Sequence, residues 1–340
     1  MKILLVASNM VHIKNFHMPY ISAFKEKGHE VYVMTTTQEA DFEIPFKKSV
    51  FSIKNFFLSF KIRKILKKER FDAVYLHTSL SAFWTRFAMW GMKRPLVVNT
   101  VHGYLFSQKD KGIKKRLYLL AERLMRRRTD YIFVMNGEDY DIAQENKLCK
   151  RGVFKIDGMG ADFSRILDEA GSPNEHNTLN LTFVGELSKR KNQEFLIRAL
   201  PRLENAHLTL VGDGDERAHL ELLAKKLGVE HRITITGFTR EVGKYLLNTD
   251  IYASASKIEG LPFNILEAMS VGLPIVASNI KGQRDLLSDE MLYPLNNEDA
   301  FVHKIETLGL QRRAYNLQKY TREVVIPKNV DLYLNLDKNV

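Results

Sequence analysis

Two glutamates eight positions apart flank a predicted helix start in this chain of 340 residues. Glu259 is expected just before the helix and Glu267 inside it. Pro262 suits the first helical position, because its missing N–H costs nothing there, while Gly272 and Pro274 are typical of a helix end. The first backbone N–H groups of such a helix have no partner within it and point at whatever lies in front. The segment therefore predicts a site for a phosphate or a polar sugar, with a carboxylate on either side.

A second segment places three cations in a strand-to-helix loop. Residues 185–192 read Gly-Glu-Leu-Ser-Lys-Arg-Lys-Asn, so Lys189, Arg190 and Lys191 precede an apolar helical segment. Such cations suit a diphosphate, because charge-assisted hydrogen bonds add to the attraction of the helix N-terminus for anions. A basic triplet is often only a hydrophilic loop. Its place in the same domain as Glu259 favours the functional interpretation.

The turn at residues 212–215 reads Gly-Asp-Gly-Asp and follows the next predicted strand. Gly212 and Gly214 permit close backbone approach, but the third glycine of the dinucleotide-binding fingerprint is missing, so the turn is weak evidence for a dehydrogenase. Asp213 and Asp215 offer oxygen ligands to a divalent cation. Two aspartates in a glycine turn are more often only a turn, and we expect no metal site.

His102 and Gly103 follow a predicted strand in the first half of the chain. An imidazole in such a loop can donate a hydrogen bond to a substrate oxygen or accept one from a hydroxyl. A single histidine is more often structural. We nevertheless expect His102 to be a catalytic residue, because a His-Gly pair at a strand end of the first domain would face the glutamates of the second.

His12, Lys14 and His17 lie in the loop and helix start after the first predicted strand, so we expect them at the rim of the same cleft. The spacing of His12 and His17 is not that of a convincing metal pair. Helix capping by Asn9 or Asn15 is the structural interpretation of this segment, and it is compatible with the functional one.

Short apolar, β-branched runs alternate with helix-length segments, which indicates parallel sheets wrapped by helices on both faces. This alternation of predicted strands and helices is interrupted by a polar segment at residues 170–177 and then resumes. We therefore predict two doubly wound α/β domains, with the chemistry in the loops that follow the strands. The predicted strands are residues 3–7, 31–34, 73–76, 96–98 and 131–134, then 181–184, 207–211, 233–235, 251–253 and 274–277.

The length fits two domains of about 150 residues each. We place the division near residues 158–162, with a loop at 171–174, and expect domains at 1–162 and 163–315. The polar tail, residues 316–340, is helical in pattern until Pro327. We expect it to pack back on the first domain.

The cysteine count and the lengths of the apolar runs exclude several classes of protein. Cys149 is the only cysteine, which excludes an internal disulfide and a thiolate-rich metal site. The apolar run at residues 1–7 is too short for a signal peptide, and no stretch approaches the roughly 18 apolar residues of a membrane span. We expect a cytoplasmic protein that is soluble or peripheral at the inner face of the cell membrane.

The formal net charge of +11 favours anionic partners. Cations cluster at residues 61–68 and 109–128, and in the second segment they alternate with leucines, as in a basic amphipathic helix. Such a helix is either a solvated face or a contact with an anionic membrane surface. We expect no nucleic-acid partner, because neither segment forms a recognisable base-reading motif.

Together these motifs resemble the family 4 retaining glycosyltransferases, whose hallmark is Glu-x7-Glu. The resemblance runs over nearly the whole chain. The segments at residues 12–19 and 101–106 are most similar to bacterial enzymes that extend a lipid-linked intermediate of capsular or extracellular polysaccharide. The matching motifs are Glu259 to Glu267, Gly185 to Asn192, Gly212-x-Gly214, His102-Gly103 and Gly160-Ala-Asp162.

The resemblance implies the GT-B arrangement, in which two Rossmann-like domains face each other across a cleft. The second domain would hold the nucleotide diphosphate sugar, such as a UDP-linked hexose or N-acetylhexosamine. The first would hold a polyprenyl-diphosphate-linked sugar acceptor, with His12, Lys14 and His17 on the acceptor side. The resemblance implies no cofactor and no metal.

The resemblance also implies roles for individual residues. Glu259 would contact the donor sugar and help hold positive charge at the anomeric carbon, Glu267 would bind the ribose, and Lys191 would neutralise the leaving diphosphate. His102 would meet the reacting sugar from the first domain. Further donor contacts would come from Gly185, Arg190, Gly212, Phe238, Gly260, Leu261, Pro262, Phe263 and Asn264.

The chain departs from many relatives in carrying Glu186 where they have arginine, so the cationic clamp rests on Lys191 with Lys189 or Arg190 assisting. The paired glycines of the first loop are also absent around residues 9–12. Two alternatives share the architecture: a UDP-sugar 2-epimerase, and a binding subunit that has lost turnover.

Overall fold

The computed structural model describes residues 1–47, 52–168 and 177–336. Its contacts divide the chain into two compact units. The first comprises Met1–Gly160 together with Arg322–Val340, and the second comprises Ala161–Thr321. The loop predicted at residues 171–174 lies outside the described residues.

The first unit contains a parallel sheet of seven strands with helices between them. Its strands are β1 (Lys2–Val6), β2 (Glu30–Thr35), β3 (Phe42–Glu43), β4 (Ala73–His77), β5 (Leu96–Val101), β6 (Tyr131–Val134) and β7 (Gly152–Lys155). Its helices are α1 (Met10–Phe16), α2 (Met18–Glu26), α3 (Ile53–Glu69), α4 (Ser79–Ala88), α5 (Ile113–Met125) and α6 (Gly137–Glu145). The strand order is β3-β2-β1-β4-β5-β6-β7. The order reverses at β1 and β4, where doubly wound sheets bind their ligands.

The second unit repeats this design. Its elements are α7 (Ser164–Asp168), β8 (Leu179–Val184), α8 (Gln193–Ala199), β9 (Ala206–Val211), α9 (Arg217–Lys226), β10 (Ile233–Gly237), α10 (Val242–Leu247), β11 (Ile251–Ser254), α11 (Phe263–Ser270), β12 (Ile275–Ser278), β13 (Leu292–Tyr293) and α12 (Glu298–Thr307). The parallel sheet has the order β10-β9-β8-β11-β12-β13. The point of reversal lies between β8 and β11.

The prediction of two doubly wound parallel sheets is confirmed, and each of the ten predicted strands overlaps a strand of the structure. Strands β3, β7 and β13 are not predicted by the apolar pattern of the sequence. These strands are short, and each lies at an edge of its sheet. Edge strands pair on one side only, so their apolar pattern is brief and weak.

Helix α11 begins one residue later than predicted. Pro262 is the residue before the helix, with φ −77° and ψ 95°, and Phe263 is the first helical residue. The predicted end is confirmed: Gly272 has φ +76°, its N–H donates to Met269 O, and Leu273 N donates to Ala268 O. This pair of hydrogen bonds is a Schellman motif, which favours glycine at the left-handed position.

The end of the chain belongs to the first unit. Helix α13 (Arg322–Leu334) packs against α2, and the Tyr333 hydroxyl lies 2.6 Å from Thr100 Oγ1. Asn329 Nδ2 donates to the Tyr20 hydroxyl and to Gly158 O, both at 2.9 Å. The buried polar contacts bind this helix to the first sheet and its helices.

Pro327 does not end that helix, in contrast to the predicted pattern. A proline inside a helix removes one backbone hydrogen bond and crowds the preceding turn. The helix continues because its buried side chains, among them Val330 and Tyr333, pack into the first unit. Tertiary packing outweighs the local preference.

Among the described residues, no helix combines the length and the apolar character that a membrane crossing requires.

Candidate active site

Glu259, Lys191 and Arg190 form an ion cluster at the carboxyl end of the second sheet. Lys191 Nζ donates to Glu259 Oε1 at 2.6 Å, and Arg190 Nη1 donates to Glu259 Oε2 at 3.1 Å. Lys191 follows β8 and Glu259 follows β11, and these strands are neighbours. Because carboxyl ends of parallel strands meet at one edge of a sheet, residues 68 positions apart come into contact.

Glu259 is an anion at neutral pH although its side chain is almost fully buried. Burial by itself would raise the pKa of this carboxyl group, but the charges of Lys191 and Arg190 outweigh it and hold the pKa below its ordinary value. The site therefore contains a fixed negative charge bonded to two cations, of which Arg190 is exposed.

Backbone and side-chain hydrogen bonds fasten the two loops of this cluster together. Lys257 N donates to Arg190 O at 2.9 Å, and Asn192 Nδ2 donates to Ala255 O at 3.1 Å. Asn192 adopts the left-handed conformation, with φ 59°, which asparagine tolerates better than most residues. The cationic loop is thus held by the loop that carries Glu259.

Glycine is required at position 212 because the backbone of Gly185 passes too close for a side chain. A Cβ built on Gly212 would lie 2.1 Å from Gly185 O, and the residue has φ +148°. The two glycines end the adjacent strands β8 and β9. Gly212 and Gly185, both predicted as donor contacts, therefore allow the two strand-end loops to touch.

The start of α11 is tied to the end of β8. Asn264 Nδ2 donates to Val184 O at 2.8 Å. Leu261, Pro262 and Asn264 are buried, while Phe263 is partly exposed. The predicted donor segment, residues 260–264, thus lies against the strand that leads into the cationic loop.

Glu267 lies on α11 and is partly buried. Burial raises the pKa of the Tyr252 hydroxyl well above its ordinary value, and the negative charges of Glu267 and Glu259 add to the effect. The charges of both glutamates of the Glu-x7-Glu motif thus act on this buried hydroxyl.

Phe238 is separate from this cluster. Its ring is 79% exposed, and it follows β10, at the edge of the sheet and two strands away from β8. The assignment of Phe238 to the nucleotide base stays a prediction.

Four histidines come together in the first unit. His17 and His77 have ring centroids 3.9 Å apart, His12 and His102 have centroids 4.6 Å apart, and His77 Nδ1 lies 3.4 Å from His102 Nε2. His77 is not among the predicted site residues. This histidine is the last residue of β4, which lies between β1 and β5 in the sheet. The segments after β1 and β5 carry His12 and His102, so the end of β4 was the place to look for a further member of the group.

Lys14, the third predicted acceptor-side residue, forms an exposed ion pair with Glu39 at 2.6 Å. Asp213, considered above as a cation ligand, accepts a hydrogen bond from Gly214 N at 2.8 Å and lies 3.5 Å from Arg217 Nη1. These contacts fit the turn interpretation of residues 212–215.

The chain matches two family models, one for each unit. Residues 165–324 match the model described as Glycosyl transferases group 1, and residues 20–149 match the model described as Glycosyltransferase Family 4. The chain is similar to the putative glycosyltransferase EpsD of Bacillus subtilis, with 28% identity over 333 residues, which is 90% of this chain and 87% of that protein.

A second relative, from Escherichia coli, is the UDP-Gal:alpha-D-GlcNAc-diphosphoundecaprenol alpha-1,3-galactosyltransferase. It is 26% identical over 342 residues, which covers 93% of this chain and 88% of that enzyme. Among solved structures, the lipopolysaccharide outer core galactosyltransferase WaaB superposes with a TM-score of 0.72 at 18% identity, over 99% of this chain and 100% of that one. This structural likeness and the two parallel sheets show the GT-B fold. Both family models describe glycosyltransferases, and together they span most of both units, so the chain is a glycosyltransferase.

Proposed function

We propose that the protein is a retaining hexosyltransferase that moves a hexose or an N-acetylhexosamine from a UDP sugar to a polyprenyl-diphosphate-linked saccharide in cell-surface polysaccharide synthesis. The observation that carries the proposal is the Glu259, Lys191 and Arg190 cluster beside the start of α11. The name of the Escherichia coli relative supports both the UDP-linked donor and the polyprenyl-type acceptor.

The cluster suits a reaction in which a diphosphate leaves. A donor diphosphate would compete with Glu259 for Lys191 and Arg190, because phosphate oxygens accept charge-assisted hydrogen bonds as carboxylates do. Glu259 would then turn its oxygens to the hydroxyls of the donor sugar. Its negative charge would stabilise the positive charge that develops at the anomeric carbon.

In the proposed mechanism, the acceptor hydroxyl attacks from the face that the diphosphate leaves. The bond between the anomeric carbon and the diphosphate oxygen breaks, the bond to the acceptor oxygen forms, and a phosphate oxygen takes the proton. The configuration at the anomeric carbon is retained. The protein contributes positioning and charge stabilisation, so no side-chain base is required.

The cations also take the place of a divalent metal at the diphosphate. We therefore propose that the transfer step needs no added Mg²⁺ or Mn²⁺. Glu267 is proposed to bind the ribose, His102 to contact the reacting sugar, and His12, Lys14 and His17 to lie on the acceptor side.

The test is a panel of UDP sugars assayed with an undecaprenyl-diphosphate-linked monosaccharide, with and without added Mg²⁺. We expect UDP release that depends on the acceptor, is unchanged by Mg²⁺, and yields a product with the anomeric configuration of the donor by NMR. An inverted product would overturn the retaining mechanism.

Two further outcomes would overturn the proposal itself. Conversion of the donor sugar without any acceptor would identify a 2-epimerase. Binding of a UDP sugar that is never consumed in the presence of the undecaprenyl-diphosphate-linked acceptor would identify a binding subunit.

A further inference from the structure

We propose that His12, His17, His77 and His102 of the first unit form a binding site for a divalent transition-metal ion of the zinc type. Each of these residues offers one ring nitrogen, and the four nitrogens lie within 4.8 Å of one another. All four histidines belong to the first unit. Three of them, His12, His17 and His102, are also the residues that the proposed function places on the substrates, but zinc binding can be measured without that reaction.

The spacing of two of the nitrogens already fits a metal. Zinc–nitrogen bonds of about 2.0–2.1 Å in a tetrahedron place neighbouring ligand atoms about 3.3–3.4 Å apart. His77 Nδ1 and His102 Nε2 are 3.4 Å apart. The remaining separations, up to 4.8 Å, close with shifts on the order of 1 Å, which side-chain torsions supply.

Ring nitrogens in the cluster lack other partners. Both nitrogens of His17, Nε2 of His12 and Nε2 of His77 are buried and have no hydrogen-bond partner among the described residues. His17 is 0% and His77 is 1% exposed. A neutral imidazole carries one N–H donor and one lone pair, and buried polar atoms are normally paired. A bound ion would use the lone pairs that His12 and His17 leave unused, while His77 would bind it through Nδ1.

Ligand chemistry selects the class of ion. Imidazole nitrogen suits zinc, copper, nickel and iron, whereas Mg²⁺ and Ca²⁺ prefer oxygen ligands. The four histidines lie in α1, between α1 and α2, at the end of β4 and in the loop after β5. An ion held by all four would join these segments, so its binding would stabilise the first unit.

The test uses the full-length protein after removal of metal with a chelator. Isothermal titration with ZnCl₂ is expected to show one ion bound per chain, and Co²⁺ is expected to give the strong visible absorption of a tetrahedral complex. His12→Gln and His77→Gln should each weaken zinc binding at least about tenfold, because loss of even an indirect partner of a metal ligand costs about 10–100-fold in affinity. His231→Gln, at an exposed histidine of the second unit, is the matched control and should bind zinc as the parent does.

His12 is only partly buried, so its variant keeps the test valid if His77→Gln fails to fold, which far-UV circular dichroism would show. No saturable zinc binding by the parent protein, or unchanged affinity in His12→Gln, would overturn the site. If the protein binds zinc but transfers no sugar, the metal site stands and the proposed function fails. If it transfers sugar but binds no zinc, the proposed function stands and the metal site fails.

Discussion

Lys191 Nζ lies 2.6 Å from Glu259 Oε1, and both side chains are about nine-tenths buried. Each residue is the main charge partner of the other in a place where water cannot replace it. Two consequences follow, one for the stability of the second unit and one for catalysis.

For stability, we expect Glu259→Gln to lower the free energy of unfolding by about 3 kcal/mol, because it leaves the Lys191 charge buried without its partner. Lys191→Met should cost less, because Arg190 still pairs with Glu259. The double variant should lose clearly less than the sum of the two. Urea unfolding of the four proteins measures the coupling energy. Additive losses would show that the pair does not act as a unit.

For catalysis, we expect Glu259→Ala and Lys191→Ala to lower kcat/KM about 100- to 1,000-fold, which corresponds to roughly 3–4 kcal/mol of lost transition-state stabilisation. UDP release at 25 °C measures the effect in protein shown to be folded by circular dichroism. Lys226→Ala, an exposed cation on α9, is the control and should retain the parent rate. Near-normal turnover by either active-site variant would remove that residue from the mechanism.

Gly212→Ala is expected to destabilise the second unit by about 2–3 kcal/mol or more, since overpacking and left-handed strain add. The new Cβ would lie 2.1 Å from Gly185 O. Two control variants separate these causes. Gly228→Ala, with φ +69° and open space around its Cβ, should show only the strain of about 1–2 kcal/mol. Gly309→Ala, in open space without positive φ, should change stability by less than about 0.5 kcal/mol in thermal unfolding.

Asp130 makes the stability of the first unit depend on pH. Burial would raise the pKa of this carboxyl group, but hydrogen bonds from Arg94 and Val97 N hold the pKa below its ordinary value of 3.8. The unfolded chain therefore takes up the proton first as pH falls, so this contribution is present at neutral pH and is lost progressively below about pH 5.

Asp130→Asn is expected to cost about 3 kcal/mol at pH 7, because Arg94 loses its buried partner. The difference between parent and variant should shrink between pH 5 and pH 3 in urea unfolding. A difference that stays constant over this range would contradict the role of the carboxylate.

Helix α5 supports the prediction of membrane contact. Leu117, Leu120 and Leu124 are each about half exposed, and exposed cations accompany them. Replacing Lys114, Arg116 and Arg127 by glutamine should weaken cosedimentation with phosphatidylserine-containing liposomes about 100-fold, since each cation near such a surface contributes about 1 kcal/mol.

The matched control removes three exposed cations of the second unit, Lys225, Lys226 and Arg240. This variant has the same net charge as the first one but should bind the liposomes as the parent does. Equal weakening in both variants would assign the attraction to net charge. Undiminished binding after replacement of Lys114, Arg116 and Arg127 would exclude α5 and the turn that follows it as the contact.

The sequence predicted the sheets well because central parallel strands are buried on both faces and appear as continuous apolar runs, as at residues 131–134. The sequence also predicted that Glu259 and Lys191 share one site, since the strand-end loops of a doubly wound sheet meet where the strand order reverses. The direct ion pair between them was not predicted. The ion pair depends on side-chain rotamers and on loop hydrogen bonds, such as that from Lys257 N to Arg190 O. The spacing of residues along the sequence does not predict these.

The histidine cluster shows the opposite case. The spacing of His12 and His17 along the chain does not predict the cluster, because its other two members, His77 and His102, are 60 or more residues away. Only the strand order β1-β4-β5 brings His77 and His102 to them. Sites built on sheet topology are visible from sequence only when the strand order is inferred as well.

Because α13 completes the first unit, ribosomal synthesis must deliver the whole second unit before the first can close. At about 5–20 residues per second, roughly 10–30 seconds separate residue 160 from residue 322. During that interval Tyr20, Tyr75 and Phe133 lack the contacts that Asn329 and Tyr333 provide in the finished protein. Deletions at the carboxyl terminus, or affinity tags that disturb it, are therefore expected to impair the amino-terminal half of the molecule first.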